Sequence, residues 1–191
     1  MVECTLLATI SAGAYHTCAL RFDGTAACWG DNTHGQASPL PGAFTQLSAG
    51  LDYTCGLRSD GTAVCWGNNV AGQASPLPGA FIQLSAGGFS CCGLRADGTA
   101  ACWGDNTHGQ ANPLPGTFIQ LSAGDYHFCG LRSDGTAACW GDNIAGQSSP
   151  PSDPFTQVSA GGKHTCSLRN DGSAVCWGAN GSGQSAPPTD T

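Results

Sequence analysis

The sequence predicts an all-β protein assembled from five tandem repeats, and three observations carry that expectation. Its only tryptophans, Trp29, Trp66, Trp103, Trp140 and Trp177, stand 37 residues apart. Two cysteine series keep the same interval: Cys28, Cys65, Cys102, Cys139 and Cys176 directly before each Trp, and Cys18, Cys55, Cys92, Cys129 and Cys166 further upstream. Short segments alternate in the way strands do, and none sustains a helical period. A fixed period of this length marks a supersecondary unit that needs its neighbours to bury its apolar face. The repeats run over approximately 7–43, 44–80, 81–117, 118–154 and 155–191 and make one domain across 1–191.

Within a repeat, the copy read from Phe44 opens on a short strand ending Leu47-Ser48-Ala49-Gly50. A second strand carries Cys55 to Arg58, and the chain reverses at Ser59-Asp60-Gly61. Asp-Gly with Gly at positive φ suits a three-residue hairpin loop with a bulge at Gly61. With Arg58 facing Thr62, counting outward sets Cys55 opposite Cys65, within disulfide reach on antiparallel strands. The same spacing recurs in every copy, so five bonds are expected: Cys18–Cys28, Cys55–Cys65, Cys92–Cys102, Cys129–Cys139 and Cys166–Cys176. They would place the protein in an oxidising, secreted or extracellular setting. The alternative is buried free thiols in a cytosolic protein. Each Trp, next to a Cys on the third strand, offers a large apolar face best used between repeats. Phe44, Phe81, Phe118 and Phe155, with Leu7 in the first copy, read as packing. Asn32, Gly35, Gln36 and their counterparts read as a loop that satisfies backbone groups.

Composition bounds the partners. The 191 residues carry a formal net charge of −7, and only 10% are charged, which argues against a nucleic-acid binder relying on Lys and Arg. No apolar run approaches the roughly 20 residues of a membrane helix, so no membrane insertion is expected. The N-terminus lacks the basic start and apolar stretch of a secretory signal, so a secreted protein without its signal peptide is expected.

The strings CALRFDGTAACWGDNTHGQ at 18–36 and CGLRSDGTAVCWGNNVAGQ at 55–73 resemble the repeat of the regulator of chromosome condensation (RCC1) family. That resemblance covers all five copies. It implies four-stranded blades around a channel, a β-propeller. The copies are short, closer to the compact repeats of the secreted β-lactamase-inhibiting propeller than to the longer nuclear ones, and there are five where the family usually closes with seven. The paired cysteines resemble those of plant crinkly-type receptor-kinase ectodomains. Ile10-Ser11-Ala12-Gly13 aligns with Leu47-Ser48-Ala49-Gly50, and the chain finishes where the next such strand would begin. The expected fold is therefore a five-bladed ring closed by pairing the N- and C-terminal strands, with an open arc completed by a second chain as the alternative.

Function is sought where the copies differ. A first variable window holds Ala14-Tyr15-His16-Thr17, Leu51-Asp52-Tyr53-Thr54, Gly88-Phe89-Ser90-Cys91, Asp125-Tyr126-His127-Phe128 and Gly162-Lys163-His164-Thr165. The second, after Trp-Gly, holds Asp31-Asn32-Thr33-His34, Asn68-Asn69-Val70-Ala71, Asp105-Asn106-Thr107-His108, Asp142-Asn143-Ile144-Ala145 and Ala179-Asn180-Gly181-Ser182, the last including a glycosylation sequon. Aromatics among small polar groups suit binding. The candidate binding residues are Tyr15, His16, Asp52, Tyr53, Phe89, Asp125, Tyr126, His127, Lys163 and His164 from the first window, with Asp31, His34, Asp105 and His108 from the second. Arg21, Arg58, Arg95, Arg132 and Arg169 are balanced by aspartates in the same turns. That leaves Lys163 against Glu3, Asp31, Asp52, Asp105, Asp125, Asp142, Asp153 and Asp190, an excess that would attract a basic partner.

No catalytic set or phosphate loop stands out, and neither the replacement of His16 by Tyr53 and Ser90 nor the cysteine spacing suits zinc. No enzyme activity, cofactor or metal is expected. Cys4 and Cys91 fall outside the pairing and are expected free, or one of them linking chains. The expected function is a non-enzymatic extracellular module that engages a protein through propeller-face loops, acting as a monomer, with an oligomer as the alternative. A multivalent lectin binding glycan ligands and a structural or engineered repeat scaffold are the alternatives.

Overall fold

The computed structural model describes residues 7–188. Among these described residues fifteen strands and no helix form five sheets of three. The first strands are Leu7–Ala12 (β1), Gln46–Ala49 (β4), Gln83–Ala86 (β7), Gln120–Ala123 (β10) and Phe155–Ala160 (β13). The middle strands are His16–Arg21 (β2), Tyr53–Leu57 (β5), Ser90–Leu94 (β8), His127–Leu131 (β11) and His164–Arg169 (β14). The third strands are Ala26–Gly30 (β3), Ala63–Gly67 (β6), Ala100–Gly104 (β9), Ala137–Gly141 (β12) and Ala174–Gly178 (β15).

Each sheet is an antiparallel meander in sequence order, and successive sheets stack against one another. In the hairpin, the Arg58 amide donates to the Thr62 carbonyl and the Gly61 amide to the Arg58 carbonyl, with Gly61 at φ +83°. That register faces Cys55 with Cys65, and all five expected disulfides form. The turn aspartates bind their own loops rather than the arginines. The Thr62 amide donates to Asp60 and holds its carboxyl below the ordinary range, while the Arg58 guanidinium lies over the Phe44 ring at 5.4 Å.

The fourth strand implied by the resemblance is not formed. The segment Ser38-Pro39-Leu40-Pro41 contains two prolines, which donate no backbone hydrogen bond. All that remains of an outer pairing is a single bridge, Thr25↔Ala43, repeated as Thr62↔Ala80.

Sheets adhere through contacts that recur around the arc. Trp66 is buried against Cys18, Leu20, Phe44 and Leu47, and its Nε1 donates to the Gln36 carbonyl of the preceding repeat at 2.9 Å. The Gln46 amide donates to the Leu84 carbonyl and accepts from the Leu84 amide, while the Ala86 amide donates to Ser48 Oγ. Near the axis the backbones nearly touch, and a Cβ on Gly124 would lie 2.4 Å from the Gly161 carbonyl oxygen, so only Gly fits there. The small residues after the first strands, Ala12-Gly13 through Ala160-Gly161, line one central opening of about 230 Å³.

The expected ring closure is not formed among the described residues. β1 pairs only with β2, and the last sheet consists of β13, β14 and β15 alone. Trp29 is 47% exposed where Trp66, Trp103, Trp140 and Trp177 are buried. Cys91 is free and fully buried, which keeps it from linking chains and pushes its thiol pKa up. Cys4, Glu3 and Asp190 lie outside the described residues.

Candidate functional site

Strand direction fixes where the variable windows lie. The first window enters each middle strand and the second leaves each third strand, and because these strands are antiparallel both windows meet on one rim. The amides of Asp31, Asn68, Asp105, Asp142 and Ala179 donate to the carbonyls of Tyr15, Asp52, Phe89, Tyr126 and Lys163. The Asp-Gly hairpins and proline segments occupy the opposite rim.

Burial divides the fourteen candidate residues. His16, Tyr53 and His127 are not on the accessible surface. Each begins a middle strand and reaches the following sheet. Tyr53 Oη donates to the Ser90 carbonyl at 2.6 Å. The Thr54 hydroxyl donates to the Gln36 carbonyl, so its oxygen accepts from His16 Nε2 at 2.7 Å. Thr165 donates likewise to Gln147 and accepts from His127 Nε2 at 2.8 Å. The Nδ1 atoms of both histidines are buried without a partner. Burial lowers the His127 pKa to about 4 and lowers that of His16. These side chains lock sheets together.

The other candidates reach solvent. Tyr15, His34, His108, Asp125 and Lys163 are exposed, while Asp31, Asp52, Phe89, Asp105, Tyr126 and His164 are half-buried. Three come together across two repeats: Tyr126 lies 5.8 Å from Phe89 and 5.3 Å from His108, edge-on to the latter. Asp31 accepts from the Thr33 amide, which holds its carboxyl below the ordinary range, and from Gln36 Nε2 at 2.8 Å; Asp105 and Asp142 accept from Gln110 and Gln147 in the same way. The Asp31 carboxylate stays charged on the rim.

Two further exposed residues on this rim lie outside the candidate set. Val70 is 94% exposed and Ile144 88%, each at the tip of a second-window loop in alternate repeats. Apolar side chains where the first, third and fifth copies have Thr33, Thr107 and Gly181 are the available signal. The rim thus carries Tyr15, the Phe89–Tyr126–His108 cluster, Val70 and Ile144 among Asp31, Asp52, Asp105, Asp125 and Asp142, with Lys163 as its cation. On the opposite rim each turn Arg is matched by a turn Asp, and Asp153 pairs with Arg169 at 2.9 Å.

Comparison with known proteins fits this architecture. The Regulator of chromosome condensation (RCC1) repeat matches at residues 8–36, 44–73, 81–110, 118–147 and 155–184, so 29 or 30 residues of each repeat carry the pattern. No curated protein sequence matches significantly. Among solved structures, the chain is similar to the entire ectodomain of the Physcomitrella patens receptor kinase CR4, with 32% identity and a TM-score of 0.77 over 90% of this chain and 50% of that one. The CRINKLY WD40 ectodomain of Arabidopsis thaliana ACR4 shows 29% identity and a TM-score of 0.76, covering 93% and 67%. Saccharomyces cerevisiae Prp20p shares the fold at 18% identity and a TM-score of 0.82, covering 95% and 59%. The chain therefore spans half to two thirds of the length of these proteins. Five matched repeats over most of its length make it a member of the RCC1 repeat family.

Proposed function

We propose that this chain is an extracellular, non-enzymatic module that binds a basic protein partner through the rim formed by the two variable windows. One observation carries the reading: the two variable windows, the two most exposed large apolar side chains, Val70 and Ile144, and unbalanced negative charge coincide on that rim, whereas the charges of the opposite rim nearly cancel. Aromatic and aliphatic groups supply contact area, and five carboxylates against one lysine supply attraction and orientation. The disulfides and the likeness to receptor-kinase ectodomains support an extracellular setting. The yeast neighbour Prp20p, described with its binding to Gsp1p and histones, supports a protein partner.

A multivalent lectin needs equivalent pockets, and the first window does not supply them: Tyr15 is exposed, Tyr53 is buried and Tyr126 stacks in a cluster. The test immobilises the oxidised chain and a Val70→Ser/Ile144→Ser/Tyr126→Ala variant and screens both against extracellular proteins and a glycan array. A protein ligand held by the parent, lost by the variant and weakened by salt is expected. Specific glycan hits that disappear on Tyr15→Ala, with no protein ligand, would replace this reading with the lectin.

A further inference from the structure

The loop that follows Trp-Gly is held by the same bonds in the first four repeats, and the fifth lacks two of them. In those four, the residue before the loop asparagine accepts from the amide two positions on: Asp31 from Thr33, Asn68 from Val70, Asp105 from Thr107 and Asp142 from Ile144. The asparagine spends both ends of its own side chain. Its oxygen accepts a backbone amide further along the loop. Its nitrogen donates six residues on: Asn32 to Ser38 Oγ, Asn69 to Ser75 Oγ, Asn106 to Asn112 Oδ1 and Asn143 to Ser149 Oγ. In the fifth repeat Ala179 takes the place of the first acceptor and Ala186 the place of the second. Asn180 Oδ1 still accepts from the Ser185 amide. The Asn180 side-chain nitrogen has no partner among the described residues.

The same repeat is the one that places a hydroxyl two residues after this asparagine. His34, Ala71, His108 and Ala145 stand where the fifth copy has Ser182, so Asn180-Gly181-Ser182 is the only Asn-x-Ser/Thr triplet in the 191 residues. Asn180, Gly181 and Ser182 are all exposed, and the Ser182 hydroxyl has no hydrogen-bond partner among the described residues. A Cβ built on Gly181 would meet nothing within 4 Å, so the space beside the triplet is open. This exposure does not depend on the place of the repeat in the chain. Asn69-Val70-Ala71 and Asn106-Thr107-His108 are exposed as well, with a sheet packed on either side of each.

We propose that Asn180 is an N-glycan acceptor, presented to an oligosaccharyltransferase by the folded loop because its side-chain nitrogen is unspent. The proposal rests on the extracellular reading above, since the transferase and its donor are met on the secretory route. The Asn180 nitrogen forms a bond to the anomeric carbon of an oligosaccharide activated as a lipid diphosphate. The anomeric carbon–oxygen bond breaks, the lipid diphosphate leaves with the electron pair, and the nitrogen gives up one proton to a base of the transferase. In the other four loops the nitrogen must first leave a hydrogen bond, and no hydroxyl stands two residues on. Gly181 adds backbone freedom where Ala179 supplies no side-chain acceptor, so the triplet can adjust to the transferase.

Two measurements test this. The first is secretion from a eukaryotic cell, with intact mass before and after peptide-N-glycosidase. The parent should carry a glycan mapped to Asn180, and Asn180→Gln and Ser182→Ala, both at exposed positions, should lose it while keeping five disulfides. A secreted, disulfide-bonded chain with a bare Asn180 overturns the proposal and leaves the extracellular reading standing. A chain that is retained or lacks its disulfides counts against the extracellular reading instead, and the second measurement decides the site without export. Purified oligosaccharyltransferase and a lipid-diphosphate oligosaccharide are added to the folded, oxidised chain and two variants. Ala186→Ser returns a partner to the Asn180 nitrogen, and Ala71→Ser completes a triplet at Asn69, whose nitrogen Ser75 holds. Transfer to Asn180 of the parent should be about fivefold faster than to Asn180 in Ala186→Ser or to Asn69 in Ala71→Ser, the weight of one hydrogen bond. No transfer to the folded parent, or equal rates at all three, overturns the proposal.

Discussion

Trp29 and Trp103 hold the same place in the same hairpin, opposite Thr17 and Cys91 respectively. Trp103 is 5% exposed and Trp29 is 47% exposed. The whole difference is the neighbour: Trp103 lies against the sheet before it and donates to the Gln73 carbonyl, whereas among the described residues no sheet precedes Trp29. A repeat of this kind therefore has no core of its own. Its apolar face becomes core only when the adjoining repeat covers it, so the same residue is structural in the middle of the arc and surface at the end.

The sharpest way to break that comparison is to truncate both side chains. Trp103→Ala should cost about 3–5 kcal/mol in denaturant unfolding, through lost burial and a cavity between sheets. Trp29→Ala should cost about 1 kcal/mol or less. Equal losses would mean that the first sheet is covered in solution.

Disulfides should ignore the position of the repeat. Cys92→Ala/Cys102→Ala in the middle and Cys18→Ala/Cys28→Ala at the end each open a loop of the same length, with a sequence separation of 10. Chain entropy assigns both about 3 kcal/mol. Chemical denaturation of the two double variants should agree within about 1 kcal/mol, and a much larger middle cost would assign the bond a packing role as well.

Much of this arrangement is legible in the sequence because it is local. The 37-residue interval gives the repeat, Asp-Gly gives the hairpin, and the hairpin register alone places Cys55 opposite Cys65. What escapes is what depends on the neighbouring repeat. The first window mixes side chains that leave the sheet with side chains that enter the junction, and nothing within a copy separates exposed Tyr15 from buried Tyr53. The separation lies in one step along the chain: Tyr15 precedes the strand, while Tyr53 begins it and bonds a carbonyl 37 residues away. Matching Tyr53 with Cys91 likewise requires knowing which positions adjoin across sheets. The outer strand fails for a local reason that the sequence displays, since Pro39 and Pro41 donate no backbone hydrogen bond to a ladder.

Acid should separate the outer junctions from the middle ones. The first junction, where β2 meets β5, and the fourth, where β11 meets β14, rest on the His16–Thr54 and His127–Thr165 bonds, and neither middle junction carries such a pair. His127 titrates near 4 when folded and near 6.5 when unfolded, so the unfolded chain binds the proton first as pH falls. The neutral-histidine contribution is fully present above pH 6.5, declines as pH falls below it, and is exhausted below about 4. On the order of 2 kcal/mol should be lost by pH 5. Hydrogen exchange should show β13–β15 losing protection before β7–β9, and His127→Gln should flatten the decline. Uniform loss across all sheets would place the acid sensitivity elsewhere.

The smallest effect on stability belongs to the variable rim, where the contrast between covered and uncovered positions is greatest. Val70 and Ile144 reach into solvent from loops whose fixed parts hold them up: Asn69 accepts from the Ala74 amide and Asn143 from the Ser148 amide, and Gln73 and Gln147 accept from the amides of Ala71 and Ala145. None of those contacts involves the Val or Ile side chain. Val70→Ser and Ile144→Ser should therefore shift unfolding by less than about 0.5 kcal/mol, and polar substitution removes apolar surface that the free chain leaves wet. Loss of partner binding at unchanged stability would assign those side chains to recognition. Substantial destabilisation would show instead that the loop tips are covered by protein in solution, which would return them to the structural half of the comparison.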